Sequence, residues 1–325
     1  MRFIPEETNE IIAEEQFPEA IKEIEEKLMA VMHKGSFKAF DNVDIYYEYF
    51  LREGSRASVV IVHGLSEFTK KFYEFAYYLL NEGYDVFIFD QRCHGLSGRL
   101  TQRTELLHVD SFYDYVKDLD QFIEEIVKPN TDKPLYIYSH SMGGAISALY
   151  LEKYSDKIEK AVLTAPMFEP TVKQVPQFVG RWTVLLGRIF IGSKKKFMLT
   201  SEFNPETPWN IDNEPSRNRF EHNMNMRREN VYYQSTPMTF GWVHGSLTVK
   251  RKIMKNRRLK RIKTPILLLS SELDKTVLNK PQRKFSDKVG CCRFEEIKGI
   301  GHSVLSSDIK KMGEIRKLIF DFYSA

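Results

Sequence analysis

Short apolar runs and longer segments with apolar positions every three or four residues alternate along most of the chain. The runs Ser58–His63, Tyr84–Asp90, Pro134–Ser139, Ala161–Ala165, Pro265–Ser270 and Arg293–Ile297 predict strands. Helical spacing predicts helices over Lys70–Asn81, Asp110–Val127, Met142–Tyr154, Lys280–Lys288 and Ser307–Phe322. Strands that are apolar throughout, with helices between them, imply a mostly parallel sheet covered on both faces, an α/β fold. Phe37–Phe40 and Val43–Phe50 flank Asp41-Asn42 and read as a hairpin ahead of the alternation. Further upstream, Pro18–His33 reads as one amphipathic helix with Ile21, Ile24, Leu28 and Met32 on a face.

The alternation stops between Met167 and about Gly241. That stretch carries Pro170, Pro176, Pro205, Pro208, Pro215 and Pro237 and no strand run. It reads as a mostly helical insertion after the sixth strand. The expected organisation is an accessory N-terminal helical segment (1–34), a core (35–166 and 242–325) and an inserted cap (167–241).

Composition narrows the class. At 325 residues, 42% hydrophobic and 28% charged, the chain can bury a large core and falls outside the disordered and collagen-like classes. Its three cysteines, Cys93, Cys291 and Cys292, are too few for a disulfide framework and suit a reducing compartment. No cluster has metal-ligand spacing. The acidic start lacks a signal pattern, and the longest apolar stretch, Phe178–Ile191, is too short to span a bilayer. The expected location is cytoplasmic, with membrane contact only from the surface, at the inner membrane face. A net charge of +4 without a recognition motif speaks against nucleic acid as a partner.

The chemistry centres on Tyr138-Ser139-His140-Ser141-Met142-Gly143-Gly144, which follows a predicted strand and opens a helix of small residues. A serine on so sharp a turn is pushed out of the sheet, and small residues two before and two after let the backbone pass. Ser139 stands where a glycine is usual. A nucleophilic serine needs a base, and the base an orienting acid. Ser271-Glu272-Leu273-Asp274 follows the next-to-last strand and Gly301-His302-Ser303 the last, at the same sheet edge as Ser141. Asp274 is the preferred acid, Glu272 its competitor, and His302 the base. Backbone N–H groups of Met142 and of Leu65, in His63-Gly64-Leu65-Ser66-Glu67, are the expected oxyanion donors. His63, Glu67, His94 and His140 read as scaffolding, and Cys93 as a small buried hydrophobe.

Together with Asp90-x-Arg-x-His-Gly-x-Ser97, these strings resemble the α/β-hydrolase superfamily, in particular its lysophospholipase and monoacylglycerol lipase (serine-aminopeptidase-like) branch, over residues 35–325. In the insertion, Ser216-Arg217-Asn218-Arg219-Phe220 and Thr236-Pro237-Met238-Thr239-Phe240-Gly241-Trp242 resemble the cap-to-core return of bacterial lysophospholipases, which begins with Gly-Pro-Thr there. The resemblance implies an acyl-ester hydrolase with a lipid-like substrate, no metal and no organic cofactor. A thioesterase, a small aromatic esterase or an aminopeptidase on the same scaffold remains the alternative. The last needs an acidic pocket, for which Glu202, Glu206, Asp212, Glu214 and Glu221 are candidates.

Phe178–Ile191 is apolar apart from Arg181 and Arg188 and is followed by Lys194-Lys195-Lys196. It suits a helix at a lipid interface, or one that roofs a greasy pocket. Phe178, Trp182 and Leu185 are the substrate-binding candidates, with Arg217, Arg219, Arg227 and Arg228 as partners for a phosphate. Residues 250–263 hold nine Lys/Arg and no acid, a solvated surface or an attraction to anionic lipid heads.

Overall fold

Val/Ile-rich runs become the middle of an eight-stranded sheet in the computed structural model, which describes residues 1–6, 9–171, 177–212 and 214–325. The strands are β1 (Met32–Lys38), β2 (Asp44–Phe50), β3 (Ala57–Val62), β4 (Tyr84–Phe89), β5 (Leu135–His140), β6 (Lys160–Thr164), β7 (Ile266–Ser271) and β8 (Cys292–Ile297). Their order is β1-β2-β4-β3-β5-β6-β7-β8. The β1–β2 and β2–β4 pairs are antiparallel and every other pair is parallel. The helices of eight or more residues are α1 (Phe17–Val31), α2 (Tyr73–Asn81), α3 (Phe112–Phe122), α4 (Met142–Tyr154), α5 (Gln177–Gly187), α6 (Arg217–Glu229), α7 (Phe240–Ile253), α8 (Asn279–Lys288) and α9 (Ile309–Ser324).

Strand residues alternate between two cores, as the pleat requires. Val60, Val62, Ile137 and Leu268 join α3, α4 and α8 on one face. Val59, Ile61, Tyr138, Leu267 and Leu269 join α1, α2 and α9 on the other. In α1, Phe17, Ile21, Ile24, Leu28 and Val31 are all buried. Phe3 is pinned to the sheet as well: its N–H donates to Leu51 O (2.7 Å) and its carbonyl accepts from Glu53 N (3.2 Å). The N-terminal segment is therefore integral to one core layer.

Several boundaries differ from expectation. The helix ends at Val31, and β1 starts at Met32, five residues before the expected Phe37, so residue 34 lies inside a strand. β1 is an edge strand whose only buried residue is Phe37, and apolar alternation cannot reveal it. The turn itself is at Asp41-Asn42, with Asn42 at φ 69°. The expected Asp110–Val127 helix begins at Phe112, capped by Ser111 and Asp114, and continues as a π-turn over Ile123–Val127. At the other end of the insertion, residue 242 falls inside α7, and Trp242 is buried in the α3/α4 core. The isolated bridge Leu107↔Met238 ties this region to the body, and Lys196↔Thr239 ties it to the rest of the insertion.

Candidate active site

β5 and α4 are separated by one residue, Ser141, at φ 51° and ψ −115°. A non-glycine residue there is strained by roughly 1–3 kcal/mol, which the surroundings must enforce. They do so from both sides: Ser141 N donates to Thr164 O (3.0 Å), and Ser141 O accepts from Met167 N (2.8 Å). The turn brings α4 so close to β3 that a Cβ on Gly143 would sit 1.9 Å from Val62 O, and one on Gly144 would sit 2.6 Å from Pro166 Cβ. Ser139 is tolerated in place of glycine because its hydroxyl turns sideways, donating to Val162 O (3.2 Å) on β6.

Asp274 and His302 arrive from the loops after β7 and β8. His302 Nε2 lies 2.8 Å from Ser141 Oγ, and its Nδ1 lies 2.7 Å from Asp274 Oδ2. The other oxygen, Asp274 Oδ1, accepts from Thr276 N (2.8 Å) and Val277 N (2.9 Å). Burial alone would raise the Asp274 pKa, but the hydrogen bond and charge of His302, with those two N–H groups, hold it below the ordinary carboxylate range. Nδ1–H of His302 therefore donates to the acid, and bare Nε2 faces the serine hydroxyl. Glu272 is occupied elsewhere, accepting from Gly299 N (3.0 Å) and Lys298 Nζ (2.9 Å).

The Leu65 and Met142 N–H groups donate to no acceptor among the described residues. The loop that presents Leu65 is held by buried neighbours. Gly64 N donates to Glu67 Oε2 (2.6 Å), and Glu67 Oε1 accepts from Lys71 (2.9 Å), one helical turn on. Burial would raise the Glu67 pKa, yet the charge of Lys71 leads the effects that pull it down to about 2. His63 takes the Gln91 N–H at Nε2 (2.9 Å) and lies 2.8 Å from Gly64 O at Nδ1, which fixes its tautomer. Burial pushes both His63 and His140 down to about 4, so both rings are neutral at pH 7. Glu67→Ala should free the Gly64 turn and misplace Leu65. The expected result is a kcat lower by about 10²-fold with KM nearly unchanged, the signature of a lost oxyanion donor. Steady-state kinetics that show only a KM change would assign Glu67 to substrate binding instead.

The substrate-binding expectations fare differently. Trp182 is 59% exposed, Leu185 is half-buried, and the Phe178 side chain lies outside the described residues. Helix rotation explains Trp182. α5 buries Val184 and Gly187, the latter against the Phe240 ring, and a residue two positions before Val184 points about 200° away. A cavity between the N-terminal segment, α2, α6 and α9 reaches His140 and Ser303, the chain neighbours of Ser141 and His302, but neither Ser141 nor His302 lines it. The cap arginines are already engaged. Arg219 pairs with Glu74 (2.8 Å), Arg227 donates to Tyr233 O and Thr236, Arg228 to Pro205 O and Asn225, and Arg217 stacks on Trp209. Sequence spacing did carry one overlooked signal: Glu67 and Lys71, four residues apart, form the ion pair that anchors the loop.

A mostly parallel eight-stranded sheet, helices on both faces and a serine on a strained turn at the strand C-terminal edge define the α/β-hydrolase class. The family described as Serine aminopeptidase, S33, matches residues 53–308, and the chain belongs to it. Lysophospholipase L2 of Escherichia coli K12 is 30% identical over 306 residues, covering 90% of this chain and 87% of its own. Monoglyceride lipase of mouse is 29% identical over a shorter stretch of 128 residues, 39% of this chain and 41% of its own. A soluble variant of monoglyceride lipase from Saccharomyces cerevisiae, solved with a substrate analogue, shares the fold at a TM-score of 0.72 and 18% identity, over 90% of this chain and 94% of its own. The chain is a carboxylic-ester hydrolase.

Proposed function

We propose that the chain cleaves the acyl ester of lysophospholipids or monoacylglycerols through an acyl-enzyme on Ser141. The observation that carries the reading is the unbroken hydrogen-bonded chain Asp274–His302–Ser141. Ser141 Oγ attacks the ester carbonyl carbon while its proton passes to His302 Nε2. Asp274 holds the imidazole and stabilises its charged form. The oxyanion is received by the Leu65 and Met142 N–H groups, which have no other acceptor among the described residues. Collapse breaks the bond to the alcohol, which leaves with the proton from His302. Water then attacks the acyl-enzyme by the same route, and the fatty acid is released.

Lipid substrate is supported by the relatives' activities and by the insertion between β6 and β7, which we assign as a cap over 167–241. Its α5 side exposes Trp182, Leu186, Ile189 and Phe190 beside Lys194 and Lys195. Such a surface suits docking on anionic lipid. Among the described residues no helix is long and apolar enough to cross a membrane. Trp182→Ala should weaken co-sedimentation with anionic vesicles, and an unchanged bound fraction would remove this face from the account.

The test of substrate class is a series of p-nitrophenyl esters beside an aminoacyl-anilide. Each buried methylene contributes about 0.8 kcal/mol, so six more could add about 5 kcal/mol, less the chain's lost freedom. We expect kcat/KM to rise at least about tenfold from acetyl to octanoyl. A profile that peaks at acetyl, or preferred turnover of the anilide, would contradict the lipid reading.

A further inference from the structure

The loop that carries Leu65 is fixed at two places. Glu67 holds it from within, through Gly64 N (2.6 Å). The second hold is on Phe68, and it comes from outside the sheet cores. Ser66, next to Leu65, is at φ 60°, a left-handed conformation that a non-glycine residue keeps only where its surroundings enforce it. Phe68 is buried, yet it joins neither core layer among the described residues. Its ring lies on Tyr233 instead, with ring centroids 4.0 Å apart and planes 7° from parallel. Tyr233 belongs to the insertion, in the short 3₁₀ turn Val231–Tyr233 that follows α6.

That turn is itself clamped. Arg227 Nε donates to Tyr233 O (3.1 Å) and Gln234 Nε2 donates to Arg227 O (2.9 Å), which ties the turn to α6. Arg99 Nη2 donates to Tyr232 O (3.0 Å) and Ser235 Oγ to Cys93 O (3.2 Å), which ties it to the loop after β4. The β4 loop reaches back to the oxyanion loop through buried Asp90. This carboxylate accepts from Leu96 N (2.7 Å) and from Thr69 N (2.7 Å), the residue after Phe68. The turn therefore meets the loop of Leu65 by two routes, directly through stacked rings and indirectly through Asp90. Without the Tyr233 ring, Phe68 would lose its aromatic cover, and the strained Ser66 would lose a restraint.

We propose that Tyr233 is a positioning residue: stacked on Phe68, it holds the oxyanion loop so that the Leu65 N–H meets the developing oxyanion. The proposal rests on the reading of Ser141 as nucleophile and Leu65 as donor. It adds that the insertion completes the catalytic site. The contact uses the ring face, so phenylalanine should serve as well as tyrosine.

The experiment compares kcat and KM on p-nitrophenyl acetate and octanoate, with rates normalised to the sites that a fluorophosphonate labels at completion. That normalisation removes any loss of folded protein. Tyr233→Ala should lower kcat about five- to tenfold on both esters with KM nearly unchanged, since one aromatic pair shifts a two-position loop by up to about tenfold. Tyr233→Phe should keep kcat within about twofold of wild type. Tyr233→Ala combined with Glu67→Ala should be little slower than Glu67→Ala alone, because both act through one N–H group. A kcat within about twofold of wild type in Tyr233→Ala would overturn the proposal. So would a loss confined to KM on octanoate, which would make Tyr233 a pocket wall, or additive losses in the double variant. An active Ser141→Ala enzyme would fault the underlying reading. Tyr233→Ala that keeps its kcat while Glu67→Ala loses it would fault this proposal alone.

Discussion

Asp274→Asn should lower kcat by about 10⁴-fold, whereas Glu272→Gln should stay within a few-fold of wild type. The geometry supplies the reason. Asp274 Oδ1 is committed to the Thr276 and Val277 N–H groups, so an asparagine would keep its oxygen there and turn its NH₂ toward His302. That NH₂ can only donate, which forces Nδ1 to accept and places the proton on Nε2. The ring would then present N–H to Ser141 Oγ and could not take its proton. The Glu272 carboxylate accepts from Lys298 and Gly299 on the outer loop. Stopped-flow or steady-state assays on p-nitrophenyl butyrate separate the two. Equal, mild losses in both variants would move the orienting acid elsewhere.

A larger loss is expected at the other end of the chain. Ser141→Ala and His302→Ala should each lower kcat by roughly 10⁶-fold, and the double variant should be no slower than either alone. The two groups act as one device, linked by the 2.8 Å contact, so removing the second has nothing further to destroy. What survives should be catalysis by the two N–H donors and by binding, about 10³–10⁴-fold over water in serine hydrolases generally. Additive losses would mean that Ser141 and His302 act independently.

The parts of this molecule that were legible beforehand share a cause. β3, Ala57–Val62, is buried at every residue, so its composition announces it. The serine turn is legible because Gly143 and Gly144 have backbone or proline atoms where a Cβ would go. Asp274 and His302 follow from strand order, since loops after parallel strands emerge at one edge. The failures are equally physical. β1 carries one buried side chain in seven and has no periodic signature. Trp182 looked like a pocket residue because it is aromatic, but helix rotation is set by which residue meets Phe240, a tertiary fact. Sequence alone leaves Arg219 free for a phosphate, and only the fold brings in Glu74, 145 residues away.

The central claim is that Ser141 becomes acylated. Treatment with a fluorophosphonate, followed by digestion and peptide mass spectrometry, tests it most directly. One adduct is expected per chain, on Ser141, absent from Ser141→Ala and greatly slowed in His302→Ala. An adduct on Ser139, or no adduct on a protein that still hydrolyses esters, would contradict the account.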